Sequence, residues 1–391
     1  MTAPLLALNV GSSTLKFTLF DVEHAHEPRI RLNGMLDGIG KASARFLARE
    51  VCGKVLFDEL LSGCTHSQAI ERVLQLTDQT AERPCAIVHR VVHGGAYFSA
   101  ATVVDDEVMA KLASLIPLAP LHQPGSLAGI DAARQAAPDV PQIACFDTAF
   151  HTTQDELATR FGIANRWHEE GVRRYSFHGL SYAAIARRLP MILGEEEAAK
   201  RVIVLHLGSG SSACAMHNGR SIANSTGMSA CEGLMMGTRP GNLDPEVVIY
   251  WMERAGMDIA GVREELYKRS GLLGVSGESS DMRELLASNS PRAKLAIALF
   301  CYRAAREVGA LAVQLGGVDH IVFTAGIGER CSPVRALVLD YLAWLGFEID
   351  HDANADQATC ITLPNSQRHA WVIPTDEEGQ MAREALALLP A

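Results

Sequence analysis

Short apolar segments alternate with glycine-containing turns in the first part of the chain. The segment from Leu5 to Asp21 has the pattern of a strand, a Gly-Ser turn and a second strand. Residues 29–60 hold short alternating stretches with turn residues at Asn33-Gly34 and Asp37-Gly38, which predict further antiparallel strands. Apolar residues at helical spacing predict a helix from Ser67 to Thr80.

The rest of the chain alternates between buried strands and helices. A long helix is predicted from Arg292 to Leu315, with Ser290 before it and Pro291 in its first turn, and another from about Glu377 to Leu389. Alternation of this kind predicts an α/β fold, whose sites form where strand ends meet glycine loops. Apolar runs that predict buried strands occupy residues 85–92, 142–146, 202–207, 320–324 and 371–373.

One short motif occurs twice in the sequence and bears on the domain organisation. LNVGSSTLKF at residues 8–17 and HLGSGSSACA at 206–215 align Gly11 with Gly210, about half the chain apart. A Gly-Ser-Ser match alone arises readily by chance, but both copies follow an apolar strand and precede a second one. The repeated motif favours two similar halves that each present a phosphate-binding turn.

Composition narrows the functional classes. The 391 residues are 48% hydrophobic and 20% charged, which excludes disordered and fibrous proteins and allows two or three domains. A net charge of −10 argues against nucleic acid as a partner. Nine scattered cysteines without a CxxC argue against a disulfide framework and a structural zinc site. Without a signal peptide or an apolar run of about 20 residues, we expect a soluble cytoplasmic protein with no membrane partner.

Two Gly/Ser turns are candidate phosphate sites. Around Gly11 to Ser13, backbone N–H groups and hydroxyls could hold phosphate oxygens beside Asn9 and Lys16, although a hairpin turn with a solvated lysine fits equally well. The turn lacks the spacing of a Walker A loop. His206 to Ser212 superficially resembles a dinucleotide fingerprint, but it leads into a strand where that motif needs a helix. A phosphate-contacting hairpin fits better. Two further glycine-lined turns, at Ser276 to Arg283 and at Gly326 to Glu329, are each predicted to enter a helix, a context that favours anionic or nucleotide ligands but is common in α/β proteins.

Cationic and imidazole side chains beside glycines are the next candidates. Arg90, His178 and Arg239 all lie in such loops, where a single one is usually structural but several together suggest an anionic ligand. Asp147 follows a strand, either as a carboxylate for chemistry or as a helix cap or Asx turn. Glu377 begins an acidic turn that either complements a helix dipole or supplies an oxygen to Mg²⁺.

Several longer motifs are more specific. Together, from Asn9 to Arg383, they resemble the acetate kinase family, within the superfamily of acetate and sugar kinases, heat-shock proteins and actin. The resemblance rests on HRVVHGG at 89–95, FDTAFH at 146–151, EGLMMGTRPG at 232–241, SGLLGVSG at 270–277, SSDMREL at 279–285, FTAGIGE at 323–329 and LGFEID at 345–350.

The resemblance implies a fold and a reaction. The fold is α/β, with two actin-like (ribonuclease H-like) domains related by duplication and an active-site cleft between them. Residues 1–150 would form the first domain, completed by a C-terminal helix at about 379–391, and 151–378 the nucleotide-binding domain. The implied reaction is reversible transfer of the γ-phosphoryl group of ATP to acetate, with Mg²⁺ or Mn²⁺, in a homodimer. A propionate kinase and a catalytically impaired nucleotide-binding relative remain alternatives.

Residue roles carry over motif by motif. The implied catalytic residues are Asp147, His178 and Arg239, and the implied metal-site residues are Asn9 and Glu377. Residues implied to bind the substrate are Arg90, Val92, Leu121, Phe177 and Ala230. Residues implied to bind the nucleotide are Lys16, His206, Leu207, Gly208, Ser209, Gly210, Asp281, Met282, Arg283, Gly326, Ile327, Gly328, Glu329 and Arg330. Because a carboxylate substrate is already ionised at pH 7, we expect Asp147 to orient substrate or magnesium-bound water and not to remove a proton.

Several residues differ from those in the family motifs, and these differences lead to further predictions. Ser209 replaces an asparagine of the second phosphate loop, and Arg330 replaces another asparagine, which bears on the phosphoryl donor. FHGTSH is here FHGLSY, ending in Tyr182. Ala230 stands where the pocket-lining proline would be, so we predict a wider pocket that admits propionate.

Overall fold

The computed structural model describes residues 3–11, 13–22, 27–80 and 83–389. Contacts divide the chain into two compact units, here called unit 1 (Met1–Phe150 with Asp376–Ala391) and unit 2 (His151–Thr375). Ser12, in the predicted first phosphate turn, lies outside the described residues, as do residues 390–391 of the predicted C-terminal helix.

The described residues form strands, α-helices and short helical turns. The strands are β1 Leu5–Val10, β2 Thr14–Asp21, β3 Arg29–Asp37, β4 Ser43–Glu50, β5 Val55–Ser62, β6 Ala86–Val91, β7 Thr102–Val103, β8 Gln142–Phe146, β9 Val202–Leu207, β10 Ser211–His217, β11 Arg220–Asn224, β12 His320–Thr324 and β13 His369–Val372. The α-helices are α1 His66–Thr80, α2 Asp106–Ser114, α3 Gln123–Ala136, α4 Glu156–Thr159, α5 Asn165–Glu169, α6 Gly179–Leu193, α7 Glu195–Ala198, α8 Pro245–Arg254, α9 Ile259–Glu264, α10 Gly271–Ser276, α11 Met282–Ala287, α12 Pro291–Leu315, α13 Ala325–Arg330, α14 Ser332–Tyr341, α15 His351–Ala355 and α16 Glu377–Leu386. Short 3₁₀ turns cover Ile116–Leu118, Ala149–Thr153 and Ala343–Leu345, and a π-helical turn covers Glu265–Arg269.

Five strands of the sheet in unit 1, β3-β2-β1-β6-β8, have the same order as the five strands of the sheet in unit 2. The full order in unit 1 is β5-β4-β3-β2-β1-β6-β8-β7, and in unit 2 it is β11-β10-β9-β12-β13. In each unit the first strand pairs antiparallel with the second and parallel with a later strand, β6 or β12. The α/β fold predicted from the sequence is confirmed, and the common order of five strands is what two similar halves require.

Apolar helix faces cover both sheets. In unit 1, α1 buries Ile70, Val73 and Leu76 in one core with residues of β1–β4. In unit 2, α12 buries Phe300 and Val308 among residues of β9, β10 and β12. No helix in the described part of the chain is long and apolar enough to cross a membrane.

Local sequence signals set several element ends as predicted. The Ser290 hydroxyl accepts the Arg292 N–H at 3.2 Å, Pro291 starts α12, and Gly316 ends it in the left-handed conformation with φ 69°. Asp281 likewise caps α11. These observations confirm the long helix and the turn before α11.

One predicted turn is wrong. Asn33-Gly34 lies within β3, where Gly34 pairs with Phe17 of β2. A side chain at Gly34 would place its Cβ 2.3 Å from the Phe17 ring and 2.4 Å from the Leu47 carbonyl oxygen. Gly34 leaves room for the Phe17 ring to pack against the strand, and the chain does not reverse direction at this position. The second predicted turn is confirmed, since β3 ends at Asp37 and Gly38 has φ 90°.

Strand registers bring polar residues to one sheet edge. Leu8 of β1 pairs with His89 of β6, so Asn9 and Arg90 are the next residues along these neighbouring strands. Val91 of β6 pairs with Phe146 of β8, and Asp147 follows. Asn9, Arg90 and Asp147 therefore lie at the carboxyl ends of three adjacent parallel strands, where α/β proteins place their sites.

Candidate functional site

Arg90 and Asp147 form the centre of a cluster in unit 1, here called the Arg90 cluster. Nε of Arg90 lies 3.1 and 3.2 Å from the two carboxylate oxygens of Asp147, and Nη2 lies 2.7 Å from Oδ2. Nη1 faces Glu377 Oε2 at 3.9 Å. The Asp147 side chain is 2% exposed and that of Arg90 21%. Burial opposes the charge on Arg90, but Asp147 and Glu377 outweigh it and raise its pKa, so the guanidinium stays charged.

Glu377 is placed by the start of α16. Asp376 caps this helix, accepting the Gly379 N–H at 3.0 Å, and pairs with Arg383 at 3.1 Å. Burial, and then the neighbouring Glu377 charge, raise the pKa of Glu378. The acidic turn is therefore a helix cap, and its position also brings Glu377 to Arg90.

The predicted metal residues offer few donors. Asn9 is the next-to-last residue of the buried strand β1 and is partly exposed, and the Glu377 side chain is 17% exposed. The described residues include no group of three or more His, Cys, Asp or Glu side chains able to hold a metal ion. One carboxylate and one amide oxygen suit Mg²⁺ that takes its other ligands from water and nucleotide phosphates, so the residues fit such an ion.

The first phosphate turn is a tight hairpin. The Gly11 N–H donates to the Thr14 carbonyl at 2.7 Å, and its carbonyl lies 2.9 Å from Nε2 of His66. Lys16 is exposed on β2 and lines a cavity of about 320 Å³ with Arg49 and Glu378. The turn and the lysine are thus on the same hairpin, and the cavity brings Lys16 close to the start of α16.

Of the predicted acyl-pocket residues, two lie in unit 1 and two in unit 2. Val92 directly follows β6 and is partly buried, whereas Leu121 is 41% exposed. Phe177 is 2% exposed, and Ala230 is partly buried. The Ala230 carbonyl accepts a hydrogen bond from Nη1 of Arg239 at 2.5 Å, so this residue lies beside the predicted catalytic arginine.

Unit 2 gathers His178, Arg239 and Gly210 into a second cluster, here called the His178 cluster. A Cβ at Gly210 would lie 2.8 Å from Nη2 of Arg239 and 3.4 Å from Nε2 of His178. The His178 ring stacks on His206 with centroids 4.2 Å apart. Burial lowers the pKa of Arg239, but this group remains a cation at neutral pH. The structure therefore brings together a guanidinium, two imidazoles and a glycine turn.

Backbone strain helps aim His178. Both Ser176 and His178 have positive φ, 67° and 59°, which non-glycine residues adopt rarely. The strained segment is held by Thr226, whose hydroxyl accepts the Phe177 N–H at 3.0 Å, and by the Gly227 carbonyl, which accepts the Ser176 N–H at 3.2 Å. Strain held in place by neighbouring groups is typical of functional sites.

The imidazoles are held by hydroxyl groups. Nδ1 of His178 lies 2.8 Å from Ser212 Oγ, which lies 2.5 Å from the Tyr182 hydroxyl. Nδ1 of His206 lies 2.9 Å from Ser181 Oγ, which meets Thr375 Oγ1 at 2.8 Å. The sequence placed Ser212 in a candidate phosphate turn but did not predict its contact with His178, and Ser181 was missed, because nothing in the local pattern says which serine faces a histidine.

The segment that carries Arg239 contacts one predicted nucleotide loop and lies next to a second. The Gly237 N–H donates to the Ser209 carbonyl at 3.0 Å, which ties the segment carrying Arg239 to the second phosphate turn. A Cβ at Gly237 would lie 3.5 Å from Cβ of Ser280, next to Asp281. Bonds from Arg283 lower the pKa of Asp281 to about 2.

The third predicted nucleotide segment differs from the prediction. Gly326 to Glu329 are not a glycine turn entering a helix but the helix α13 itself, and Ala325 with φ 65° makes the turn from β12. The helix is pinned at its end by the fully buried Arg335, which donates to the Gly328 and Glu329 carbonyls at 2.9 and 2.8 Å. Arg335 is a further residue that sequence reasoning missed.

Comparisons with known proteins point to a single family. Residues 4–383 match the sequence profile of the Acetokinase family. An acetate kinase of Rhodopseudomonas palustris is 47% identical over 396 aligned positions, covering 99% of both chains. The solved acetate kinase of Porphyromonas gingivalis has 36% identity and a TM-score of 0.90 over 100% of both chains. The solved propionate kinase of Francisella tularensis has 34% identity and a TM-score of 0.91, covering 98% of this chain and 99% of that one.

Proposed function

The chain belongs to the acetokinase family of kinases, and from this membership we propose that it transfers the γ-phosphoryl group of ATP reversibly to acetate, giving acetyl phosphate and ADP. The observation that carries the proposal is the His178 cluster, in which Arg239 and His178 both face Gly210. Phosphoryl transfer needs positioning and charge stabilisation above all, because its loose transition state carries charge on the equatorial oxygens.

In unit 1, we assign Arg90 to the substrate carboxylate. Asp147 already engages Nε and Nη2 of the guanidinium, so Nη1 is the group that we propose meets the substrate. Asp147 then holds the planar guanidinium of Arg90 in one orientation. Acetate is ionised at neutral pH and attacks without losing a proton, so no base is assigned to Asp147.

In unit 2, the glycine turn and its neighbours are assigned to the phosphates. The turn at His206 to Gly210 would bind phosphate oxygens through the backbone N–H groups of Ser209 and Gly210, while Arg239 supplies positive charge and His178 a hydrogen bond to the transferred group. Asp281 to Arg283 and helix α13 are assigned to the rest of the nucleotide. Lys16, on the first hairpin, is assigned a further phosphate contact.

Asn9 and Glu377 are assigned to Mg²⁺ carried by the nucleotide. When bound, the ion would neutralise charge on the β- and γ-phosphate oxygens. Glu377 also faces Arg90, so it would hold the ion on the same side of unit 1 as the substrate guanidinium. Homodimeric assembly and a cytoplasmic location belong to the proposal on the family resemblance alone.

The test is ADP release and acyl phosphate formation with acetate, propionate and butyrate in parallel, each with Mg²⁺ and with EDTA. We expect turnover with acetate that needs the divalent ion. An Arg239→Ala variant that folds with wild-type stability and keeps wild-type turnover would contradict the assignment of the His178 cluster. A chain that binds ATP but forms no acyl phosphate would support the alternative of an impaired relative.

One observation favours propionate as a second substrate. Ala230 lies against Arg239 at a position where the family pattern has proline, and alanine occupies less of the pocket. The propionate kinase of Francisella tularensis also shares the fold over nearly the whole chain. We therefore propose that propionate is used with a kcat/KM within about tenfold of that for acetate.

A further inference from the structure

Two buried side chains of unit 2, Tyr182 and Ser212, form a continuous chain of hydrogen bonds that ends on the partly buried His178. The Tyr182 hydroxyl lies 2.5 Å from Ser212 Oγ, and Ser212 Oγ lies 2.8 Å from Nδ1 of His178. Tyr182 and Ser212 are both fully buried, on α6 and β10. Neither residue was among those implied to touch a substrate.

Either hydroxyl of the Tyr182–Ser212 pair can be the donor, and in one of the two directions the donors run from Tyr182 through Ser212 to His178. Burial raises the pKa of Tyr182 well above its usual range, so its hydroxyl keeps its proton at neutral pH and can donate it to Ser212. A serine hydroxyl carries one proton and accepts through its lone pairs. If Ser212 accepts from Tyr182, its own proton goes to its other partner, Nδ1 of His178.

We propose that Tyr182 and Ser212 are positioning residues that hold His178 in the tautomer with its proton on Nε2. A Cβ at Gly210 would lie 3.4 Å from Nε2, so this edge of the ring faces the glycine turn. His178 thereby presents an N–H donor where Arg239 presents its guanidinium. This role rests on the proposed function, in which the His178 cluster stabilises the transferred phosphoryl group.

The opposite tautomer would leave His178 unable to donate in that direction. A neutral imidazole carries one proton, so a proton on Nδ1 turns Nε2 into an acceptor. An acceptor directed at phosphoryl oxygens repels them, whereas a donor stabilises their negative charge. Fixing the tautomer therefore matters for the rate of transfer more than for the binding of substrate.

The sequence supports a role particular to this chain. Tyr182 occupies the last position of FHGLSY, where the family pattern FHGTSH has histidine. Histidine at this position also carries an N–H group and could donate to Ser212. Phenylalanine would keep most of the ring packing and lose only the donor, which makes Tyr182→Phe the informative change.

The first test reads the tautomer without any measurement of activity. Long-range proton–nitrogen spectra of ¹⁵N-histidine-labelled protein would be recorded for wild type and Tyr182→Phe, with His178→Gln used only to assign the signals. We expect a protonated Nε2 and an unprotonated Nδ1 in wild type, and a mixture of tautomers in Tyr182→Phe. A proton on Nδ1 in wild type, or identical spectra in both proteins, would overturn the proposal.

The second test compares kinetics across matched variants. We expect Tyr182→Phe to lower kcat by about five- to tenfold with KM values for ATP and acetate changed less than about twofold. Tyr182→His should restore kcat to within about twofold of wild type. Tyr302→Phe removes the hydroxyl of a half-exposed tyrosine on α12 and is the control.

The two tests separate this inference from the proposed function. Suppose that wild type forms no acyl phosphate, that its spectra show the proton on Nε2 of His178, and that Tyr182→Phe loses this preference. The positioning role of Tyr182 and Ser212 then stands, and the proposed function fails. If wild type is active and Tyr182→Phe only lowers the melting temperature, with the His178 tautomer and kcat unchanged, then Tyr182 is merely structural and the inference fails. A substitution Ser212→Ala, which removes the middle of the chain, should change the His178 spectrum in the same way as Tyr182→Phe.

Discussion

The guanidinium of Arg90 hydrogen-bonds to both carboxylate oxygens of Asp147, although 56 residues lie between them in the chain. This contact depends on the register of β6 against β8. Arg90 pairs with Cys145 across β6 and β8, and Asp147 lies two residues further on, with its side chain on the same face of the sheet. Because Asp147 is almost fully buried, removing one member of the pair would leave a charge without its partner, and the two-point contact orients Arg90.

We therefore predict two effects of Asp147→Asn. Removing one member of a buried pair leaves the Arg90 charge partly uncompensated, and the free energy of unfolding should fall by about 3 kcal/mol. The rate of acyl phosphate formation should fall more than about a hundredfold, because the guanidinium that meets the substrate loses its orientation. Urea denaturation and the hydroxamate assay measure the two effects separately.

The matched control is Asp58→Asn. Arg45 and Asp58 of the same sheet make the same two-point contact at 2.7 Å, but their side chains are 58% and 44% exposed. Exposed pairs contribute little, so the urea midpoint should stay within error of wild type. Equal destabilisation by both substitutions would contradict the importance given to burial of the Arg90–Asp147 pair.

Gly210→Ala should separate activity from stability. The added Cβ would lie 2.8 Å from Nη2 of Arg239, the mobile end of a long side chain that can swing aside. The melting temperature should therefore change by less than about 2 °C, whereas kcat should fall at least about a hundredfold, because displacing one transition-state donor costs that much. The measurements are calorimetry and initial rates.

Gly309→Ala provides its control. Gly309 lies in α12, and a Cβ there would meet nothing within 4 Å. Because alanine is a better helix former than glycine, this variant should be as stable as wild type or more stable, by up to about 1 kcal/mol, with unchanged kcat. Undiminished turnover in Gly210→Ala would mean that Arg239 does not act where we place it.

The fold was predictable where one local signal dominates. The β1–β2 hairpin, α1, α12 and the α/β class follow from periodicity, caps and glycine placement. The turn at Asn33-Gly34 was predicted wrongly because glycine serves two purposes, chain reversal and close approach of a ring, and the sequence does not separate them.

For the candidate site, sequence could name residues but not their partners. The motifs singled out Arg90 and Asp147, yet their pairing depends on the register of β6 against β8. Likewise, the contact between Ser212 of β10 and His178, which caps α6, joins residues that are 34 positions apart in the chain. The functional roles of these residues stay predictions that the proposed variants test.

Ala230→Pro should narrow the acyl pocket. Proline keeps the carbonyl that Arg239 uses and adds bulk where we place the alkyl group of the substrate. Each methylene is worth about 1–3 kcal/mol of discrimination, so kcat/KM for propionate should fall about tenfold relative to that for acetate. The measurement is a substrate series on wild type and variant. An unchanged ratio would remove Ala230 from the pocket.

Buried histidines predict how stability depends on pH. His89 is 2% exposed, and burial lowers its pKa to about 4 despite the hydrogen bond to Gln142. In the unfolded chain the pKa is about 6.5, so below pH 6.5 the unfolded state binds a proton that the folded state refuses. Stability from this group is complete above pH 6.5 and is lost as the pH falls toward 4. Between pH 6.5 and 4.5 the loss is about 2 kcal/mol.

His89→Gln isolates this contribution. Glutamine does not titrate, so the variant should lose about 2 kcal/mol less than wild type over the same pH interval, whatever its absolute stability. Comparing slopes in this way cancels the packing change that the substitution introduces. The measurement is a set of urea unfolding curves at four pH values between 6.5 and 4.5. Parallel slopes in wild type and variant would mean that His89 accepts a proton in the folded chain, and that burial does not hold it neutral.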